Sequence, residues 1–255
     1  MSSNLPPVIY RNSRAAAIFY AVSYRLAQQR LEGTGLFAVR IGNYGIVNAT
    51  WFDYAETSIG PYREFSLGIV ASPEQHRLRL AVNLIAGLKG DALGSFVLAL
   101  PVDSEPARAG GVQHFSLPKT LVQFRCDWSG SQLQAGIQGA CGPVVSMTVP
   151  LRLGIPIHVG RLAIYSMHAG GLLTTQVNTQ WPAKLDLMGR PTLTITDRHH
   201  SVGREMAGLA LEAAPVLAVV HGPLLYAALP VPPPQGPEAA ESDGGGPSTV
   251  RSRTE

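Results

Sequence analysis

From Gln123 to Arg198 the chain is a succession of short Val-, Ile-, Leu- and Thr-rich runs, each cut off by glycine or proline. That punctuation constrains the fold more than any other feature, because short apolar runs bounded by turn residues read as strands of an antiparallel sandwich or barrel. The segment QFRCDWSGSQLQAGIQ reads as a hairpin turning at Ser129-Gly130-Ser131. The runs PVVSMTVPLRLGIPIHV, GRLAIYSM, GLLTTQVNTQW and PTLTITDR extend the pattern. With 27 glycines and 20 prolines in 255 residues, long helical periods are scarce. Asn12 to Leu31, ending before Gly33, reads as a helix with plausible caps. Its middle, AIFYAVSY, is equally a strand leading into a short helix. GREMAGLAL, from Gly203, is a second helical candidate. The apolar stretch GLALEAAPVLAVVHGPLLYAALP contains Glu212, Pro215 and a central His221-Gly222-Pro223 break. Those groups are costly in lipid, so it reads as a buried helix–turn–strand element and not a membrane span.

The length suits one domain, expected over residues 1–230. Residues 231–255 are rich in Pro, Gly and Ser and almost free of large apolar side chains. They cannot bury enough surface to offset ordering entropy and read as a disordered tail. Cys126 and Cys141 are the only cysteines, too few for a disulfide scaffold. With no visible secretory signal, a cytoplasmic setting is expected. The net charge is +3, and the arginines are scattered without the basic, aromatic-interleaved stripe of a nucleic-acid binder. No nucleic acid and no membrane are therefore expected as partners. His199-His200 point to opposite faces of a strand, and no zinc or dinucleotide spacing occurs. No metal and no cofactor are expected. The tryptophans Trp51, Trp128 and Trp181 read as core or rim aromatics, and Asp103 and Glu105 as loop carboxylates.

The chemistry-bearing residue is Lys119. It stands between Phe115, Leu117 and Pro118 on one side and Leu121, Val122 and Phe124 on the other. A lysine in such a run is expected to be partly buried, which disfavours the ammonium. A neutral amine attacks carbonyl carbon and forms a Schiff base. The plainer reading is a strand lysine whose stem packs while its head reaches water.

Three blocks carry a resemblance. The first is Glu105-Pro106-Ala107, then Gly111, then Pro118-Lys119; the second is Gly60-x-Tyr62-x-Glu64; the third is Tyr24-Arg25. In order and spacing they resemble the acetoacetate decarboxylase family, whose active-site lysine follows such a segment. The resemblance spans most of the body, residues 17–230. It implies an α+β fold, mostly antiparallel β-sheet, barrel- or cone-like, with few helices. It implies that Lys119 forms the Schiff base, with Glu64 and Arg25 as catalytic partners and Gln113, Tyr62 and Phe115 around the substrate. It also implies a small keto-acid substrate and a homo-oligomer. The chain departs from the family pattern at Val112-Gln113, where many members carry Arg-Glu. Thr120 stands where the decarboxylase has a second lysine, and Asn48, Ala49 and Thr50 stand where it has a further acidic residue. Without a neighbouring cation, desolvation is the route left for activating Lys119. The expected reaction is decarboxylation through an enamine. The alternatives are a Schiff-base aldolase-dehydratase, a non-catalytic small-ligand binder, and an interaction protein acting through the tail.

Overall fold

The computed structural model describes residues 7–78, 93–169 and 171–230. The expected tail, 231–255, lies outside the described residues. Strand β1 (Val8–Ser23) runs directly into helix α1 (Tyr24–Gln29). There follow β2 (Phe37–Ala38), β3 (Arg40–Ile41), β4 (Tyr44–Tyr54), β5 (Glu56–Thr57), β6 (Tyr62–Ser72), β7 (Arg77–Leu78) and β8 (Gly94–Val102). Helix α2 (Glu105–Phe115) leads to β9 (Lys119–Leu121), β10 (Gln123–Asp127), β11 (Gln132–Gly139) and β12 (Gly142–Pro150). The long strands β13 (Ile155–His168) and β14 (Gly171–Asp186) precede β15 (Thr192–Ile195), helix α3 (Ser201–Gly208), a 3-10 turn at Leu211–Ala213 and β16 (Val216–Leu229). The mostly-β fold with few helices matches the expectation.

Seven strands close on themselves in the order β6-β8-β13-β14-β16-β1-β4, with β4 pairing back onto β6. A second sheet, β10-β11-β12-β15, covers one side of this barrel. Every barrel pairing is antiparallel except β8 with β13.

Strand alternation shows how the two layers are built. On β6, Phe65, Leu67 and Ile69 pack outward into one core with Leu133, Ile137, Val145 and Met147 of the covering sheet. On the same strand Glu64, Ser66 and Val70 line the barrel interior. On β4, Val47, Ala49 and Trp51 face the covering sheet while Asn48, Thr50, Phe52 and Tyr54 face inward. On β1, Ala16, Ile18 and Tyr20 join the outer core, and Ala15, Ala17 and Phe19 the inner one. Strands buried on both faces read as continuous apolar runs. That is why AIFYAVSY is compatible with helix or strand in sequence, and the structure takes the strand. The helix expected over Asn12–Leu31 is reduced to α1.

The His221-Gly222-Pro223 break is no turn. It lies inside β16, where the register shifts against β1 and β14. A Cβ on Gly222 would meet the Pro182 carbonyl at 2.6 Å, so glycine lets the neighbouring backbone approach while the strand bends. The hairpin at Ser129–Ser131 forms as expected between β10 and β11, with Gly130 at φ +63° in the left-handed region. The GREMAGLAL helix forms as α3, started by the His200 side chain accepting from the Val202 N–H. Among the described residues no helix is long and apolar enough to cross a membrane.

Candidate active site

Helix α2 and strand β9 position Lys119. Ser104 caps α2, its side chain accepting from the Ala107 N–H, and Pro106 occupies the first turn. Ser116 then takes a left-handed conformation (φ 48°), and the Leu117 N–H donates to the Gly111 carbonyl. This reversal drops the chain into β9, parallel to β8, with Lys119 opposite Leu100. One edge of β8 pairs with β6; the other pairs with β13 at residues 94–96 and with β9 at residues 100–102. Lys119 therefore enters the wall where β13 leaves β8.

The lysine stem passes beneath α2 at Gly111. A Cβ at that position would meet Lys119 Cδ at 2.4 Å and Cε at 2.5 Å. Gly111→Ala is expected to displace the lysine stem while leaving the barrel folded. The amine would lose its contacts, and any activity that depends on it should fall at least about tenfold. Unchanged kinetics in this variant, with a native circular-dichroism spectrum, would show that the close approach has no role.

Lys119 Nζ donates to Glu64 Oε2 at 2.5 Å, and both side chains are nearly buried, 6% and 9% exposed. Glu64 comes from β6, facing inward opposite Phe52 of β4. Its second oxygen, Oε1, accepts from the Tyr54 hydroxyl at 3.3 Å. Tyr62 brings its ring centroid within 5.7 Å of Lys119 Nζ, and its hydroxyl lies 3.2 Å from that of Tyr10. The rings of Tyr10, Tyr54 and Tyr62 form one cluster, with centroids 4.5 Å apart for Tyr10–Tyr54 and 4.8 Å for Tyr54–Tyr62. Burial first, and then the negative charge of Glu64, push all three phenols above their ordinary range. They therefore stay protonated and available as donors across the working pH range. Tyr54→Phe removes the donor to Glu64. It is expected to lower stability by about 1–3 kcal/mol, read as a reduced midpoint in urea unfolding with an unchanged slope.

Lys119 lies between two cavities, and Glu64 lines the inner one. The inner one, of about 170 Å³, occupies the barrel. The outer one, of about 260 Å³, lies under α2 and is lined by Ser58, Tyr62, Pro106, His114 and Phe115 among others. Lys119, Tyr10, Leu117 and Leu229 line both.

Of the residues expected at the site, the structure brings together Lys119, Glu64, Tyr62 and Phe115. Phe115 is buried with Val97, Leu100 and Leu117. Arg25 is not among them: it is exposed on α1 and lines neither cavity. Gln113 is also exposed and lines neither. On α2 the buried residues are Ala107, Gly111 and Phe115, one face at intervals of four, and position 113 falls on the opposite side. Asp103 accepts from the Arg63 N–H at 2.7 Å, and Glu105 pairs with Arg108 on the helix surface. Trp51 is fully buried between the layers, and Trp181 lines the inner cavity. Tyr10 and Tyr54 were not singled out from the sequence. Tyr54 lies on a strand whose inward alternation starts at Asn48, and that period is the signal that points to it. Among the described residues, no group of three or more metal-ligating side chains gathers.

The profile of the acetoacetate decarboxylase (ADC) family matches residues 1–156. No curated protein sequence matches. Solved structures share the fold. An acetoacetate decarboxylase from Legionella pneumophila superposes with a TM-score of 0.61 at 13% identity, over 91% of each chain. A second acetoacetate decarboxylase gives 0.61 at 17% identity, over 89% of this chain and 88% of the other. The enduracididine biosynthesis enzyme MppR, complexed with pyruvate, gives 0.59 at 16% identity, over 89% of this chain and 90% of the other.

Proposed function

The chain belongs to the acetoacetate decarboxylase family, and from that premise we propose that it is a lyase acting on a keto acid through a Schiff base on Lys119. One observation carries the reading. A buried lysine with a carboxylate 2.5 Å from its amine faces two cavities at once. A lysine held only for structure has no need of that access. The pyruvate complex of MppR supports a keto acid as the substrate class.

In this reading Glu64 takes the ammonium proton, and the free amine attacks the ketone carbon. Glu64 returns that proton to the carbinolamine hydroxyl, and loss of water gives a protonated imine. The bond from the adjacent carbon to the carboxylate then breaks, carbon dioxide leaves, and the electron pair passes into the enamine. A proton returns to that carbon, and water hydrolyses the imine to release the ketone and free Lys119. Tyr54 holds Glu64 in place through Oε1, and Tyr62 covers the amine with its ring face. Arg25 and Gln113 take no part in these steps. Decarboxylation is preferred to aldol–dehydration because the lining of both cavities, among the described residues, offers no arginine to retain the substrate carboxylate. The protein works as a homo-oligomer in the cytoplasm, needing no cofactor and no partner besides its substrate.

The test is borohydride trapping with acetoacetate and with pyruvate, read by intact mass and peptide mapping. An adduct on Lys119, of the size of the reduced acetone imine with acetoacetate and of the reduced pyruvate imine with pyruvate, together with carbon dioxide released from acetoacetate, is the expected result. No adduct on Lys119 with either ketone, in folded protein, overturns the proposal.

A further inference from the structure

We propose that the substrate is a keto acid whose ketone carbon carries an apolar tail of about six carbons, housed inside the barrel. The inference rests on Lys119 as the imine-forming residue.

The carbon bound to Lys119 in an imine has two further substituents, and the two cavities offer each a different environment. The outer cavity reaches exposed residues, Ser58 and Pro106, and includes His114. The inner cavity is enclosed by the barrel strands. Its β1, β14 and β16 wall is mostly apolar, with Ala17, Phe19, Val177, Trp181 and Val220 all buried, and the Thr179 hydroxyl on it donates to the Val159 carbonyl. Among the described residues, the only charged side chains on its lining are Lys119 and Glu64. A carboxylate placed there would be repelled by Glu64 and would lose its hydration without compensation. The carboxylate-bearing carbon therefore faces the outer cavity and the other substituent points inward.

A methyl group, as in acetoacetate, would leave most of the inner space empty. An apolar cavity of about 150 Å³ is enough to hold a benzene ring, and this one measures about 170 Å³. The β4, β6 and β8 wall is more polar, yet much of that polarity is already engaged. Ser95 Oγ donates to Asn48 Oδ1 at 2.8 Å. The pair forms across Gly68 of β6, where a Cβ would meet Ser95 Oγ at 2.1 Å. The glycine thus keeps the polar pair folded against the wall and the space beyond it free for a tail.

The experiment uses the native protein and a series of 3-keto acids whose ketone substituent is methyl, propyl, pentyl, phenyl, heptyl or undecyl. Carbon dioxide release and borohydride-trapped mass are both measured. The expected result is a rise in kcat/KM of about three- to fourfold per methylene up to the pentyl or phenyl member, then a fall at undecyl. Ala17→Leu, which fills the cavity, should lower the pentyl-to-methyl ratio of kcat/KM at least tenfold. A flat or falling series from methyl onward, with acetoacetate still trapped on Lys119, overturns the tail assignment and leaves the Schiff-base reading intact. Absence of any adduct on Lys119 across the series removes both.

Discussion

Lys119→Met is expected to lower the rate of carbon dioxide release from a 3-keto acid by about 10⁴-fold or more, and to abolish the borohydride adduct entirely. Methionine keeps the length and the apolar stem that passes under Gly111, but it has no amine to attack carbon. The loss should appear in kcat, because the group removed forms the intermediate and does not merely hold the substrate. The change also strips Glu64 of its counter-charge in a buried place, so a folding defect must be separated from a chemical one. Lys119→Arg makes that separation. Its guanidinium keeps a positive charge opposite Glu64, yet it stays protonated and is no nucleophile. Melting curves near that of the native protein, together with absent turnover in the arginine variant, would assign the loss to chemistry. If either variant retains a tenth of native activity, the covalent route through Lys119 is wrong.

The placement of Lys119 was readable because its neighbours in sequence are apolar on both sides and because Pro118 and Gly111 stand at fixed distances from it. Glu64 and Tyr62 were readable from the short Gly60-x-Tyr62-x-Glu64 block, whose alternate residues share one strand face. Helix α2 was missed in the sequence, where Glu105, its first residue, reads as a loop carboxylate. Its Gly110-Gly111 pair argues against a helix, and the stretch has little amphipathic character. The usable signal was the Ser104 cap followed by Pro106 in the first turn. Arg25 was assigned by analogy of a dipeptide. Geometry separates it from the barrel, because α1 buries only Ala27, and Arg25, two residues earlier, lies about 200° around the helix from it. Gln113 fails for the same reason relative to Gly111. The tyrosine cluster escaped because Tyr10 comes from β1, paired there with Thr57 of β5, and is distant in sequence from Tyr54 and Tyr62, which face each other across the β4–β6 pairing. No local pattern encodes a contact made by closing a sheet.

The second large effect concerns the other half of the ion pair. Glu64→Gln keeps the shape of the side chain but only one acceptor oxygen, where the carboxylate offers Oε1 to Tyr54 and Oε2 to Lys119, and it removes the charge opposite a lysine side chain that is 6% exposed. Breaking a buried pair by removing one partner typically costs about 3–5 kcal/mol, whereas replacing both partners by uncharged groups of similar volume is often close to neutral. Glu64→Gln should therefore lower the melting temperature by roughly 10 °C for a chain of this size. The double variant Glu64→Gln/Lys119→Met should recover most of that loss although it has no catalytic lysine at all. The double-mutant cycle then yields a coupling of at least about 2 kcal/mol. Turnover behaves differently. In Glu64→Gln it should fall about 10²–10⁴-fold, because no base in contact with the amine remains to take its proton, and the double variant should be inactive. Stability restored by the second change while activity is not would separate the two roles of one contact: it balances a buried charge, and it supplies the base for imine formation. A Glu64→Gln protein that melts within 2 °C of the native one and still turns over would show that neither role belongs to Glu64.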